Sequence, residues 1–410
     1  MTAHSIVIPA DGGSFNAYTA MPAADRAPAV IILQEIFGVN SHIRAVCDLF
    51  AQEGYLAAAP DLFWRIQPGI ELGYGAEDVQ KARAYGQRFD SAPAVRDIAA
   101  AVKAVRAMPQ CDGKVGAVGF CLGGRLAFMA AARCELDAAV CYYPAGLEHE
   151  LGDAPRISCP IIIHLGEQDP LTPPELRERI SAALSGHHGA RVRVYVGAGH
   201  GFANFDRVTF HKLSYPLAYS RTLAVLRRAL GPDFDLEELW ERHVACEFQT
   251  HDAGGTMATM VPDPYLNHVP VLTGGRGYEE VHRFYQRHFI PKLPKDTKIS
   301  LLSRTVGADR VVDEMIFCFT HDTEIDFLLP GVAPTGRYVE IPLVAIVQFR
   351  GGKVSSEHIY WDQASALVQV GALDPKNLPV AGIEQSKKML DERLPANQLI
   401  ARWKNSADRD

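Results

Sequence analysis

Val115-Gly-Ala-Val-Gly119-Phe-Cys121-Leu-Gly123-Gly124 decides the reading of this chain. An apolar, strand-like run ends in Gly-x-Cys-x-Gly, and a helix of small residues follows from Arg125 to Ala132. This is the shape of a Gly-x-Ser-x-Gly nucleophile elbow, with sulfur in place of the hydroxyl. The passage from strand to helix is sharp, so side chains at Gly119 or Gly123 would collide with neighbouring backbone. The turn lifts Cys121 to the top of a sheet, and the new helix aims its positive end at it. That field favours a thiolate and any oxyanion formed beside it.

An elbow nucleophile needs a base, and the base needs an orienting group. In this motif the chain order is nucleophile, acid, histidine. Pro160-Ile-Ile-Ile-His-Leu165 reads as a buried strand, and Gly166-Glu-Gln-Asp169-Pro170 is the loop after it. Residues 192–196 read as the next strand, and Gly197-Ala-Gly199-His200-Gly201-Phe202 is a glycine-rich loop carrying one histidine. Each piece alone has an ordinary explanation: a cysteine fills a core, an aspartate caps a turn, a histidine sits in a loop. Together, each after its own strand and in the right order, Cys121, Asp169 and His200 form a candidate triad. Sulfur attacks, imidazole moves the proton, and carboxylate fixes the imidazole. Near the start, Ala29-Val-Ile-Ile-Leu33 is a strand and Gln34-Glu35-Ile36-Phe37-Gly38 its following loop. The backbone N–H groups of Ile36 and Leu122 are the candidate oxyanion donors. Glu35 falls close to the thiol, where a carboxylate would repel a permanently ionised sulfur.

Length and composition set the frame. The 410 residues suit two domains, and 48% hydrophobic residues suffice for packed cores. A net charge of −7 without lysine or arginine runs argues against nucleic-acid or anionic-membrane partners. The N-terminus lacks a basic, then apolar, leader pattern, and no stretch of about 20 apolar residues occurs. Eight scattered cysteines without a Cys-x-x-Cys pair favour reduced thiols in a cytoplasm. His243, Cys246, His251 and His268 form a loose cluster whose spacing fits no zinc pattern, so no metal is expected.

Strands are expected at 6–9, 15–19, 30–33, 55–59, 115–119, 138–141, 161–165 and 192–196. Helices are expected at 43–53, 94–107, 124–133, 175–184 and 216–230. Apolar strands separated by helices predict a mostly parallel, doubly covered sheet over residues 1–232, with every candidate catalytic residue at a strand's C-terminal end. Leu230-Gly231-Pro232-Asp233 ends the pattern. Beyond it, helices at 235–248 and 277–288 precede long strands at 298–305, 310–320, 341–350 and 353–361, with Arg350-Gly351-Gly352-Lys353 a strong hairpin turn. Helices first and a curved antiparallel sheet afterwards predict an α+β cone over 235–372. An irregular extension, 373–410, carries a short helix at 385–393.

Several motifs resemble the dienelactone hydrolase (carboxymethylenebutenolidase) family of α/β-hydrolases: Gln34-Glu35-Ile36-Phe37-Gly38, Ala59-Pro60-Asp61-Leu62, Gly119-Phe-Cys121-Leu-Gly-Gly124, Tyr142-Tyr143, Gly166-Glu-Gln-Asp169 and Gly199-His200-Gly-Phe202. The resemblance covers roughly residues 1–230. It implies a Cys-His-Asp triad that opens a lactone or related ester without a cofactor. It also implies that Glu35 pairs with the protonated thiol at rest and releases it when substrate binds. Family members hold a substrate carboxylate with two arginines; those positions here are Asn204 and, approximately, Val79. Lys81, Arg83, Arg65 or Arg207 are candidate substitutes. Phe37, Phe63, Trp64 and Phe202 are candidates to line an apolar substrate pocket beside Asn204.

The later part resembles the SnoaL-like, ketosteroid-isomerase-like superfamily, through the first helix, Tyr265-Leu-Asn-His268, Gly277-Tyr-Glu-Glu-Val281 and Glu357-His-Ile-Tyr-Trp-Asp362. That resemblance implies a pocketed cone, with Asp252, His268, Asp326, His358, Tyr360 and Asp362 as polar groups able to enter it, and a sheet available for homodimer formation or for closure over the hydrolase pocket. Alternation puts His358 and Tyr360 on one face of the last strand. Two other functions compete with a thiol hydrolase: a bifunctional protein whose cone is an isomerase or hydratase, and a non-catalytic ligand-binding or redox-responsive protein on a hydrolase scaffold.

Overall fold

Alternate residues of one strand divide the first core in two. In Ala27–Leu33, Ala29, Ile31 and Leu33 pack to one side, while Val30 and Ile32 pack to the other. A strand buried on both faces needs cover on both faces. The computed structural model describes residues 3–403 and Ser406, and divides between Asp233 and Phe234 into two compact units.

The first unit contains eight strands: β1 (Ala3–Ala10), β2 (Gly13–Ala20), β3 (Ala27–Leu33), β4 (Leu56–Pro60), β5 (Cys111–Phe120), β6 (Ala138–Tyr142), β7 (Ile161–Gly166) and β8 (Ala190–Tyr195). Their order is β1-β2-β4-β3-β5-β6-β7-β8, and β3 to β8 run parallel. The β1–β2 hairpin joins antiparallel through β2. Six helices accompany them: α1 (Ser41–Gln52), α2 (Ala76–Arg88), α3 (Ser91–Arg106), α4 (Leu122–Arg133), α5 (Pro174–Ala183) and α6 (Ser214–Leu230). Helices α1 and α6 cover the Val30/Ile32 face; α3, α4 and α5 cover the other. This is the mostly parallel, doubly covered sheet that the apolar runs predict. Helix α2 has no apolar stripe to announce it, since Ala82 is its one buried residue.

The second unit opens with α7 (Leu236–Phe248) and α8 (Ala253–Ala258), then β9 (Met260–His268), β10 (Thr273–Arg276) and α9 (Tyr278–Phe284), which continues as one π-helical turn over Tyr285–Phe289. Strands β11 (Lys298–Val306), β12 (Arg310–Thr320), β13 (Tyr338–Arg350) and β14 (Lys353–Trp361) follow. The sheet order is β10-β9-β14-β13-β12-β11. Gly351 and Gly352 both take positive φ, as a two-residue hairpin demands. The sheet is mixed rather than wholly antiparallel, because β9 returns alongside β14 in parallel register. Three register shifts bend it. Helix α10 (Gln363–Val370) closes the cone and α11 (Glu384–Leu390) of the extension folds back on it; both are tied to β13 by hydrogen bonds, from Gln369 and Ser386 to the Glu340 carbonyl.

Candidate active site

Strand β5 ends at Phe120 and α4 begins at Leu122, so Cys121 alone makes the turn. Its backbone sits at φ 55, ψ −113, a conformation that costs of order 1–3 kcal/mol for a side-chain-bearing residue. The surroundings hold it there. Cys121 N–H donates to the Tyr142 carbonyl at 3.0 Å, and Gly123 N–H to the Gln34 carbonyl at 3.0 Å. A Cβ on Gly119 would overlap the Gly123 carbonyl, and one on Gly123 would overlap the Leu33 carbonyl. Both glycines are therefore required by backbone-on-backbone contact. Leu122 opens α4, so its N–H has no acceptor inside the helix. Ile36 lies in the loop after β3.

The other two candidate triad members converge on this turn. Asp169 follows β7 and His200 follows β8, and these strands are neighbours in the sheet. His200 Nδ1 meets Asp169 Oδ2 at 2.9 Å. Asp169 Oδ1 is occupied by the Leu171 N–H at 2.9 Å, which fixes the carboxylate's orientation. Burial pulls the His200 pKa down, but hydrogen bonding and charge from Asp169 and Cys121 outweigh it and push it up to about 10. Both partners thus favour the protonated ring.

Glu35 is buried, and burial raises its pKa against the opposing pull of Arg207, Asn204 and His200. Its Oε2 accepts from Asn204 Nδ2 at 2.7 Å, and that amide also donates to the Tyr74 hydroxyl at 2.9 Å. Asn40, the N-cap of α1, donates to the same hydroxyl at 3.0 Å. Asn204 therefore positions Glu35. Glu35 Oε1 and the Tyr143 hydroxyl are both buried without a well-formed hydrogen bond. Arg207 Nη1 stands 4.0 Å from Glu35 Oε1, with its guanidinium over the rings of Phe37 and Tyr74. Burial and Arg207 together drive the neighbouring His42 ring down to about 3, so it is neutral.

Of the candidate cations, Arg207 is the one brought to Glu35. Arg65 is committed to Asp97 through two hydrogen bonds of 2.9 and 2.7 Å, and Lys81 pairs with Glu77 on the exposed face of α2. Phe37 stands edge-on to Tyr74. Phe202 is fully buried against Tyr142, Tyr143 and Tyr195, and so packs behind His200 rather than lining a pocket. Phe63 packs against Tyr85 and Phe89, and Trp64 stacks on Phe15 while donating to Asp97 at 2.9 Å. Both rings thus have packing partners of their own. Tyr74 and Tyr143 carry polar contacts at the site that periodicity does not flag, because Tyr74 sits in an irregular loop and Tyr143 takes φ 35 just past β6.

The second unit encloses a cavity of about 320 Å³. Its wall is largely apolar, with Leu266, Phe289, Phe317, Phe327, Ile359 and Trp361 among its members; Glu247, His268, Tyr285 and Glu357 line it too, as do Glu241, Gln249, Arg304 and Asp313. His358 and Tyr360 share a face as alternation requires, but it is the opposite face: Glu357, Ile359 and Trp361 point inward. Of the six polar groups expected in this pocket, His268 is the one on its wall. Among the described residues, the group close enough to share an ion is His243, Glu247 and Glu357, which leaves Cys246 and His251 outside it.

Comparison with known proteins follows the same division. Residues 15–230 match the model of the dienelactone hydrolase family, and residues 240–357 match that of the SnoaL-like domain. A putative carboxymethylenebutenolidase of Azospirillum brasilense is 40% identical over 236 residues, covering 55% of this chain and 99% of the relative. A carboxymethylenebutenolidase of Pseudomonas putida is 38% identical over 218 residues, covering 53% and 92%. The crystal structure of a putative dienelactone hydrolase from Klebsiella pneumoniae superposes with a TM-score of 0.50 at 30% identity, covering 55% of this chain and 98% of that one. Among the described residues, no helix is long and apolar enough to cross a membrane.

Proposed function

The chain belongs to the dienelactone hydrolase family, and from that premise we propose that it hydrolyses a lactone or activated ester, of the enol-lactone kind, through Cys121, His200 and Asp169. The observation that carries this is the 2.9 Å contact between His200 Nδ1 and Asp169 Oδ2 behind a cysteine held at φ 55. The Cys121 thiol gives its proton to His200 and its sulfur attacks the acyl carbon, while the carbonyl electrons move to an oxyanion held by the N–H groups of Ile36 and Leu122. One such donor is typically worth roughly 10²–10³ in rate. Collapse breaks the acyl–oxygen bond and releases an enolate, which takes the proton from His200 and leaves the ring neutral. Water then gives a proton to His200 and adds to the thioester; the sulfur leaves, and the acid is released. Every step uses a side chain or backbone group of this chain.

Glu35 acts as the gate in this reading. A buried carboxylate of raised pKa shares a proton with the resting thiol and is displaced when substrate enters. The unsatisfied Glu35 Oε1 and Tyr143 hydroxyl are the polar atoms a substrate oxygen would reach. Arg207 is the cation available to a substrate carboxylate, in place of the arginines that family members use. The free thiols suit a reducing, cytoplasmic setting, and the outer face of the second sheet is offered as a homodimer surface.

The test is a panel of lactones and aryl esters, with and without a carboxylate, against wild type and Cys121→Ala. Turnover should fall by about 10⁴-fold or more in the variant, with the fold retained. Retained turnover would remove Cys121 from the mechanism. A second reading, in which the cone performs an isomerisation or hydration of its own, draws support from the apolar cavity with acidic groups in its wall. Chemistry on the hydrolysis product that survives in full-length Cys121→Ala would support it.

A further inference from the structure

The inner end of the cone cavity holds three fully enclosed chelating groups that lactone hydrolysis does not use. His243 and Glu247 lie one turn apart on α7, and Glu357 comes from β14. All three residues are less than 5% exposed.

The proton on His243 can be assigned. The Thr259 hydroxyl donates to the Thr256 carbonyl at 2.6 Å, and a carbonyl can only accept. The same hydroxyl oxygen lies 2.6 Å from His243 Nδ1, so Nδ1 carries the hydrogen and donates it. Nε2 is the inward nitrogen; burial lowers the ring's pKa, but the two carboxylates around it outweigh that and raise it to about 10, so without an ion Nε2 carries a proton that metal binding must displace. Nε2 faces Glu247 Oε1 at 3.2 Å and Glu357 Oε1 at 3.4 Å. A charge-assisted N–H···O bond would be shorter, about 2.7–2.9 Å. Ligands on a common ion, each about 2.1 Å from it at tetrahedral angles, stand about 3.4 Å apart. Two carboxylates shut away from water call for a positive charge among them, supplied by the proton on Nε2 or by a metal ion in its place. The Tyr285 hydroxyl, 2.9 Å from Glu357 Oε1 and 3.4 Å from His243 Nε2, closes the group from a third element, the π-helical turn. Such turns recur at functional sites.

We propose that His243, Glu247 and Glu357 bind one divalent first-row metal ion at the inner end of the cone cavity, with Thr259 fixing the imidazole for ligation. One nitrogen and two carboxylate oxygens suit Mn²⁺, Fe²⁺ or Zn²⁺. Glu247, Glu357 and Tyr285 all line the cavity, so the ion's remaining position opens onto its apolar space. A small molecule bound there would meet the ion with an oxygen. The inference does not depend on how Cys121 reacts.

Mn²⁺ is the probe, because it prefers oxygen and imidazole donors and ignores the eight thiols. Full-length protein is stripped with a chelator and titrated with Mn²⁺, with free ion followed by electron paramagnetic resonance. Wild type should take up one ion per chain, and its Tm should rise with Mn²⁺. Glu247→Gln and Glu357→Gln should each weaken binding by 100-fold or more, and Thr259→Val by roughly 10–100-fold. The circular dichroism of each variant checks the fold. Should Glu357→Gln fail to fold, Glu247→Gln and Thr259→Val carry the test. No uptake by folded wild type at millimolar Mn²⁺, or uptake unchanged in the folded variants, would overturn the site.

Discussion

Two polar clusters, one in each unit, are built from similar side chains but by different means. Cys121, His200 and Asp169 hang from the C-terminal ends of three parallel strands, where the chain must turn and expose them. His243, Glu247 and Glu357 sit within a helix and a strand, where regular backbone carries them into a buried space. The first arrangement needs backbone strain at Cys121 and glycines where carbonyls crowd. The second needs only helix spacing and strand alternation. A reactive group presented to substrate is costly to hold and leaves a signature in neighbouring residues. A buried chelating group is held by ordinary secondary structure and leaves none.

The largest expected effect attacks that difference directly. A methyl group at Gly123 would overlap the Leu33 and Gln34 carbonyls, which are backbone and cannot rotate away. Gly123→Ala should cost about 3 kcal/mol or more and abolish turnover, because the elbow must open to accept it. Thermal unfolding and ester turnover measure both. Near-normal Tm with normal turnover would mean the elbow is not under this constraint. No single backbone position should be so decisive for the second cluster.

Asp169→Asn comes next. It removes the partner that holds His200 in its working orientation, so turnover should drop by roughly 10²–10⁴-fold. The titration of His200 should change too. Its folded pKa is raised to about 10, above an unfolded value near 6.5. The stability it contributes is therefore present in full below about pH 6.5 and is lost as pH rises through about 10. In the variant, burial acts on the ring with less opposition, so His200 titrates lower and that alkaline loss shrinks. Imidazole NMR and Tm from pH 6 to 10 check this. A His200 pKa unchanged in Asp169→Asn would break the assignment.

Much of this was legible in the sequence, for reasons that particular residues explain. The apolar runs at 30–33, 115–119 and 161–165 mark buried parallel strands, and Gly119 and Gly123 mark the elbow between them. Helix α2 was not legible, since it buries little, and β9 was not, since its pairing with β14 joins residues far apart along the chain. Alternation along β14 put His358 and Tyr360 on one face; the inward face is instead the one shared by Ile359 and Trp361, whose apolar side chains wall the cavity. Following those two residues leads to Glu357. The sequence sets His243 beside Cys246, His251 and His268, yet its spatial companions are none of these. They are Glu247, one helical turn on, and Glu357, more than a hundred residues away. Phe63 and Trp64 look like pocket residues in any aromatic-rich loop, and only packing reveals that Phe15, Tyr85 and Phe89 claim them.

The smallest expected effect bears on why the first cluster keeps a carboxylate at all. Glu35 is 2% exposed, and burial is the largest influence on it, raising its pKa. A group whose folded pKa is raised loses stability as pH climbs through that value, so ionised Glu35 weighs against the fold at neutral and alkaline pH. Glu35→Gln keeps an oxygen for the Asn204 amide and removes the charge, while Arg207, with about a quarter of its side chain exposed, remains solvated. The variant should gain about 1–2 kcal/mol, or a few degrees in Tm, at pH 8. That gain should shrink as pH falls and the wild-type carboxyl takes up its proton. Turnover should fall in the same variant, because the gate no longer exchanges a proton with the thiol. Stability gained and rate lost together would show that this charge is retained for chemistry. A gain that grew on acidification would mean that the carboxylate is a structural anchor, and the two clusters would differ less than their backbones suggest.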